Sequence, residues 1–187
     1  MNKFQKTFFL LMILFATLAC TIFVGGPEIP NQPIPVSAEA VTQMHDEIKA
    51  AVAAGAISGV ITLRITEIQL TSYLALKFST DASPLFTEPQ VYLRDGQMRI
   101  YGKAKRGALV GNVGIIIEVG VDENGAPKLQ LVSADFGPLK APDGLNTAMT
   151  AIIEEAYTGS LGPMATGLRI ESITIADGVL TIVGKIH

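Results

Sequence analysis

The chain has 187 residues, with 14 lysines and arginines against 17 aspartates and glutamates and a net charge of −3. That balance excludes a nucleic-acid footprint or a polybasic membrane surface spread over the whole protein. A single cysteine, Cys20, rules out an internal disulfide and a thiolate zinc site, and with only two histidines, His45 and His187, the Ser-His-Asp and His-metal arrangements lack their parts.

The first element is an apolar run of 17 residues, Phe8 to Val24, preceded by Lys3 and Lys6. No positive charge follows it until Lys49, so the run orients the N-terminus toward the cytoplasm and residues beyond 25 toward the extracytoplasmic face, in the cell envelope. Its length suits a short uncleaved anchor helix and also a signal segment, and Ala19-Cys20 has the form of a lipidation site, although Thr17 stands where a lipobox wants leucine. Anchor, lipidated Cys20 and ordinary cleavage all stay open. Residues 25–36 hold four prolines between Gly25 and Pro35, which predicts an extended, unpacked spacer about 30 Å long.

Residues 37–187 are then one domain, large enough for a packed core, with 12 basic and 16 acidic residues. Ser37 is a candidate N-cap for a helix over 38–54 bearing Val41, Met44, Ile48 and Val52 on one stripe. Alternation from Ile57 to Ile65 predicts a half-buried strand, and Thr66-Glu-Ile-Gln69 is a capping box opening a second helix with Leu70, Tyr73, Leu74 and Phe78 on its stripe. Asp95-Gly96 between alternating runs predicts a type I′ hairpin over 91–103, and a related hairpin around Asp177-Gly178 lies 82 residues on.

Between them, Val113 to Val121 and Lys128 to Phe136 form a longer hairpin through Glu123-Asn-Gly125. Its alternation slips between Leu131 and Val132, and the last hairpin slips between Ile170 and Ile173, which predicts bulges that bend the strands. Asp143 caps a candidate third helix carrying Leu145, Met149, Ile152, Ile153 and Ala156, so the domain reads as two diverged helix-plus-hairpin units. The expected fold is α+β: a curved antiparallel sheet of hairpins on two or three helices, behind the N-terminal apolar anchor helix.

No catalytic constellation emerges. Asp95 and Asp177 are accounted for as turn residues and His45 as a helix-surface residue, while Gly107 to Gly114 lacks the Gly-Lys-Ser/Thr ending of a phosphate loop. The expectation is a protein that is not an enzyme, with no metal and no cofactor. Arg99, Lys103 and Lys105 alternate along one strand with Arg106 beside them, and so offer contacts for anionic head groups, or simply a solvated strand face. A curved aliphatic sheet against helices also suits an apolar groove, for which Leu70, Tyr73, Leu74, Ile115, Ile117, Met149 and Ile153 are the candidate lining.

The order of the anchor, the helix opening Thr66-Glu-Ile-Gln-Leu-Thr-Ser-Tyr-Leu74, the Asp95-Gly96 hairpin, Asn124-Gly125 leading to Lys128-Leu-Gln-Leu-Val-Ser133, and Phe136-Gly-Pro-Leu-Lys-Ala-Pro142 resembles the YpmS-like and LmeA-like bacterial envelope proteins. Those are related in shape to tubular lipid-binding modules. The resemblance implies a membrane-tethered protein that binds phospholipid or a similar amphiphile. It offers no active-site residue to carry over. The alternative expectation is a non-catalytic scaffold that binds another envelope protein through a sheet edge or its outer hairpins.

Overall fold

A computed structural model describes residues 21–79, 86–138 and 168–186. Cys20, the third candidate helix and its Met149 and Ile153, and His187 lie outside the described residues.

The described chain begins with a two-residue strand, β1 (Ile22–Phe23), and after an extended stretch enters helix α1 (Ala38–Ser58). The Ser37 hydroxyl caps α1 by accepting from the Ala40 N–H at 3.2 Å, and Gly59 ends it in the left-handed conformation, where glycine has no Cβ to clash. Helix α1 runs four residues past its expected end, so Ile57 does not begin the next strand. It sits in the last helical turn, 92% exposed, and β2 starts at Val60 (Val60–Thr66). The buried stripe is Ala40, Met44, Ile48 and Gly55, with Val41 and Val52 only half-buried on its margin.

The capping box forms as its spacing requires. The Thr66 N–H donates to Gln69 Oε1 at 2.9 Å, and the Gln69 N–H donates to Thr66 Oγ1 at 3.3 Å, opening α2 (Glu67–Ser79). Six further strands follow: β3 (Phe86–Arg94), β4 (Gln97–Arg106), β5 (Leu109–Val121), β6 (Pro127–Asp135), β7 (Leu168–Ala176) and β8 (Val179–Ile186). Both Asp-Gly turns have positive φ at the two central residues, 54° and 76° at Asp95-Gly96 and 50° and 77° at Asp177-Gly178, as type I′ demands. The helix expected ahead of the second hairpin lies outside the described residues.

The strands divide between two sheets. In the larger one β3, β4, β5 and β6 pair antiparallel in sequence order, while β1 pairs parallel with the start of β5. The smaller sheet has the order β2-β8-β7, all antiparallel. Both expected bulges are present, between Ile116 and Ile117 where Val132 of β6 is skipped, and between Ile170 and Ser172 where Glu171 is skipped. A third, at Glu88-Pro89 in β3, was not legible: Glu88 takes a φ of 51° and proline has no N–H for the ladder. The result is α+β with a curled, largely antiparallel framework and two described helices.

One core unites these parts. Leu63, Ile65, Ile175 and Leu180 of the smaller sheet meet Val91, Leu93, Ile100, Val113, Ile115 and Ile117 of the larger, with Met44 and Ile48 of α1 and Leu74 of α2 closing the cluster. The sheets are also stitched by backbone bonds, from the Gly178 N–H to the Leu93 carbonyl and from the Ile170 N–H to the Gly125 carbonyl.

Helix α2 seals the free edge of β3 with side chains. Thr71 Oγ1 accepts from the Val91 N–H at 2.9 Å, and Glu67 Oε1 accepts from the Leu93 N–H at 2.7 Å. Glu67 also pairs with Arg94. An edge strand with unpaired N–H groups is a site of unwanted pairing, and here the helix supplies the missing acceptors. This explains why the most enclosed residues of α2 include Gln69, Thr71 and Ser72 beside Leu74.

Candidate functional site

The inner face of the larger sheet is aliphatic through its central rows. Cross-strand register puts Val91, Ile100 and Ile115 in one row, and Leu93, Met98, Ile117 and Leu131 in the next. Burial falls along this surface toward β6. Ile115 and Ile117 are under 6% exposed; Met98, Val119 and Leu129 are half-buried against the core, and Leu131 is 48% exposed. Ile173 and Ile182, a cross-strand pair in the smaller sheet, are half-buried against the same cluster. Both sheets thus carry half-covered apolar residues at the margin of the shared core.

Of the residues expected to line a groove, Leu74, Ile115 and Ile117 lie in the enclosed core, and Leu70 and Tyr73 are half-buried against it. The structure thus brings five of the seven onto one continuous apolar body; Met149 and Ile153 lie outside the described residues. The half-buried margin residues Met98, Val119, Leu129, Ile173 and Ile182 were not singled out from the sequence. Only cross-strand pairing separates them from the deeper positions on the same strands. A surface depression along α1 is a poor match for an acyl chain, since Glu39, Asp46 and Glu47 are among its lining.

The outer face of the larger sheet is not bare. The proline-rich stretch expected to stand free as a spacer is extended but packed across it. The Gly25 carbonyl accepts from the Asn112 N–H, and the Pro27 carbonyl from Asn112 Nδ2 at 3.1 Å. The Gln32 carbonyl accepts from the Tyr92 hydroxyl at 3.0 Å. Gln90 bonds both the N–H and the carbonyl of Ile34, which is buried, and the Ser37 N–H donates to Ser72 Oγ. An extended backbone bonds nothing internally, so its polar groups are available to side-chain amides and hydroxyls that imitate a neighbouring strand. Gly114 leaves the room, since a Cβ there would press on Pro27 and the Tyr101 ring.

The four candidate head-group contacts divide in two. Arg99 Nη2 is 2.8 Å from Asp95 Oδ2 and Lys103 Nζ is 2.6 Å from Glu88 Oε2, so these cations already have partners. Lys105 and Arg106 are exposed at the end of β4, with no carboxylate partner among the described residues. His45 is half-buried, with Nε2 shielded and unpartnered, rather than solvent-facing. Among the described residues, no three of the His, Cys, Asp and Glu side chains converge as metal ligands, and no helix is long and apolar enough to cross a membrane.

No protein-family model matches the chain, and no curated protein matches it. The resemblance to YpmS-like and LmeA-like proteins therefore stays at the level of turn and helix-start motifs. Among solved structures, a crystal structure of lipopolysaccharide binding protein is similar to 69% of this chain at 12% identity, with a TM-score of 0.32. The matched part spans half the length of that protein.

Proposed function

We propose that the protein is a non-catalytic, extracytoplasmic binder of a lipid or similar amphiphile, tethered to the membrane through its N-terminal apolar segment. The observation that carries this reading is the apolar margin of the core, where Met98, Val119, Leu129, Ile173 and Ile182 are only half-covered and Leu131 is exposed. Isolated exposed aliphatics are ordinary; several half-covered ones that all pack against one aliphatic interior suit an acyl chain. Leu70, Tyr73, Leu74, Ile115 and Ile117 then form the wall behind the chain.

The tether itself is shorter than the apolar run suggests. Ile22 and Phe23 belong to β1, and the Val24 N–H donates to the Val110 carbonyl, so the run free to enter a membrane ends near Thr21. Phe8 to Thr21 is 14 residues, about 21 Å as a helix, against a hydrocarbon core of about 30 Å. A full-length spanning helix through Val24 and the β1 pairing exclude one another.

The test is native mass spectrometry of the full chain released from detergent, followed by organic extraction. Stoichiometric lipid is the expected result. A chain that flies bare, and remains bare after incubation with mixed-lipid vesicles, overturns the reading. A second reading, a scaffold for another envelope protein, rests on β6, whose residues 130–135 are exposed on both faces and whose outer edge is unpaired among the described residues.

A further inference from the structure

The end of the larger sheet where β1 joins it combines exposed apolar residues with exposed cations. Register aligns Ile22, Leu109 and Arg106 across three strands, and Phe23, Val110 and Lys105 in the next row. Side chains in successive rows point to opposite faces, so each face of this tip carries two apolar residues and one cation. Phe23 is 60% exposed, Ile22 57% and Leu109 37%, and both cations are exposed. No aspartate or glutamate occurs from residue 97 to residue 117, and Glu88, which approaches from β3, is engaged by Lys103.

The tip is also where the N-terminal apolar run enters the fold. β1 follows directly on Thr21, the last residue of that run left free of the sheet, and the stretch after β1 is held against the fold by Asn112, Gln90, Tyr92 and Ser72 instead of standing free. A membrane holding residues 8–20 therefore has the tip directly against it.

We infer that the β1 and β4–β5 tip is a membrane-apposed wedge. Ile22, Phe23 and Leu109 enter the interfacial region of an anionic lipid surface, and Lys105 and Arg106 pair with its phosphates. Apolar residues flanked by cations are what an anionic interface selects, through burial and through attraction to the head groups. Arg99 and Lys103 take no part because their charges are met within the sheet. This inference rests on the tether reading and adds to it an orientation: the sheet end faces the bilayer, and α1's C-terminal turn with Ile57 is offered as a remote reference.

The chain contains no tryptophan, so one can be introduced as a sole reporter. Full-length Leu109→Trp and Ile57→Trp chains are reconstituted in phosphatidylcholine vesicles with and without phosphatidylglycerol, floated, and then examined with bromine-labelled lipids. The expected result is strong quenching of the Leu109→Trp reporter in anionic vesicles and little at position 57. Adding Lys105→Gln and Arg106→Gln weakens tip contact by about fivefold per cation, roughly 25-fold for the pair, read as loss of quenching. Added salt acts in the same direction. If the chain floats and the two reporters are quenched alike, the wedge is wrong and the tether stands. If the chain does not float, the tether reading fails and the wedge fails with it. Should Leu109→Trp misfold by circular dichroism, Ala108→Trp on the exposed turn reports the same contact.

Discussion

Thr71→Val tests whether a helix side chain holds the edge of the larger sheet. The substitution keeps the shape of the side chain and removes the oxygen that accepts from the Val91 N–H at 2.9 Å. Thr71 and Val91 are both fully enclosed, so water cannot replace the lost acceptor. A buried N–H left unsatisfied costs about 1–3 kcal/mol. Taking about 2 kcal/mol, a domain of this size should melt about 4–8 °C lower. Thr71→Ser is the control: it keeps the hydroxyl and loses one methyl group, worth about 1 kcal/mol. Urea unfolding of the two variants gives the energies, and amide hydrogen exchange gives the location. The Val91 N–H should exchange faster in the valine variant and stay protected in the serine variant. A valine variant at least as stable as the serine variant, with Val91 still protected, refutes the claim that Thr71 closes this edge.

Two further outcomes test the outer face and the α1 packing. Burial, with the Glu67 carboxylate and Tyr101 adding to it and Arg94 opposing, raises the Tyr92 phenol above its ordinary value. The folded protein therefore holds that proton more tightly than the unfolded chain. This contribution is intact below the unfolded value near pH 10 and is lost as pH rises through the higher folded value. Urea melts at increasing pH should show this alkaline loss in the natural chain and a smaller one in Tyr92→Phe, which also forfeits about 1 kcal/mol with the bond to the Gln32 carbonyl. Gly55→Ala sets two effects against each other: alanine in a helix gains about 0.5–1 kcal/mol, but its Cβ would strike the Ile61 side chain, which is buried in β2. Overpacking costs about 1–3 kcal/mol, so thermal melts should show net destabilisation.

Local chemistry was legible in the sequence. The capping box at Thr66 and Gln69, the two Asp-Gly turns and the slips at Val132 and Glu171 are decided by neighbouring residues, whose spacing and backbone preferences can be read without knowing the fold. The same holds for the alternation of Ile61, Leu63 and Ile65. The end of α1 was misplaced because Ile57 suits a strand as well as a helix, and the left-handed cap at Gly59 decided between them.

Tertiary structure alone decided the rest. A polar and fully enclosed Thr71 is unintelligible until the β3 edge is known to need an acceptor. Four prolines and no helical or strand pattern describe an extended chain, but whether that chain stands free or lies on a sheet depends on partners far away in sequence. Gln90, Tyr92 and Asn112 are those partners, 56 to 85 residues from the groups they bind. The cations of β4 look equivalent along the strand, yet Asp95 and Glu88 engage two of them and leave Lys105 and Arg106 at the tip. Sequence sets what each residue prefers locally; pairing across the fold sets which of those preferences are already satisfied and which remain open to a ligand or a membrane.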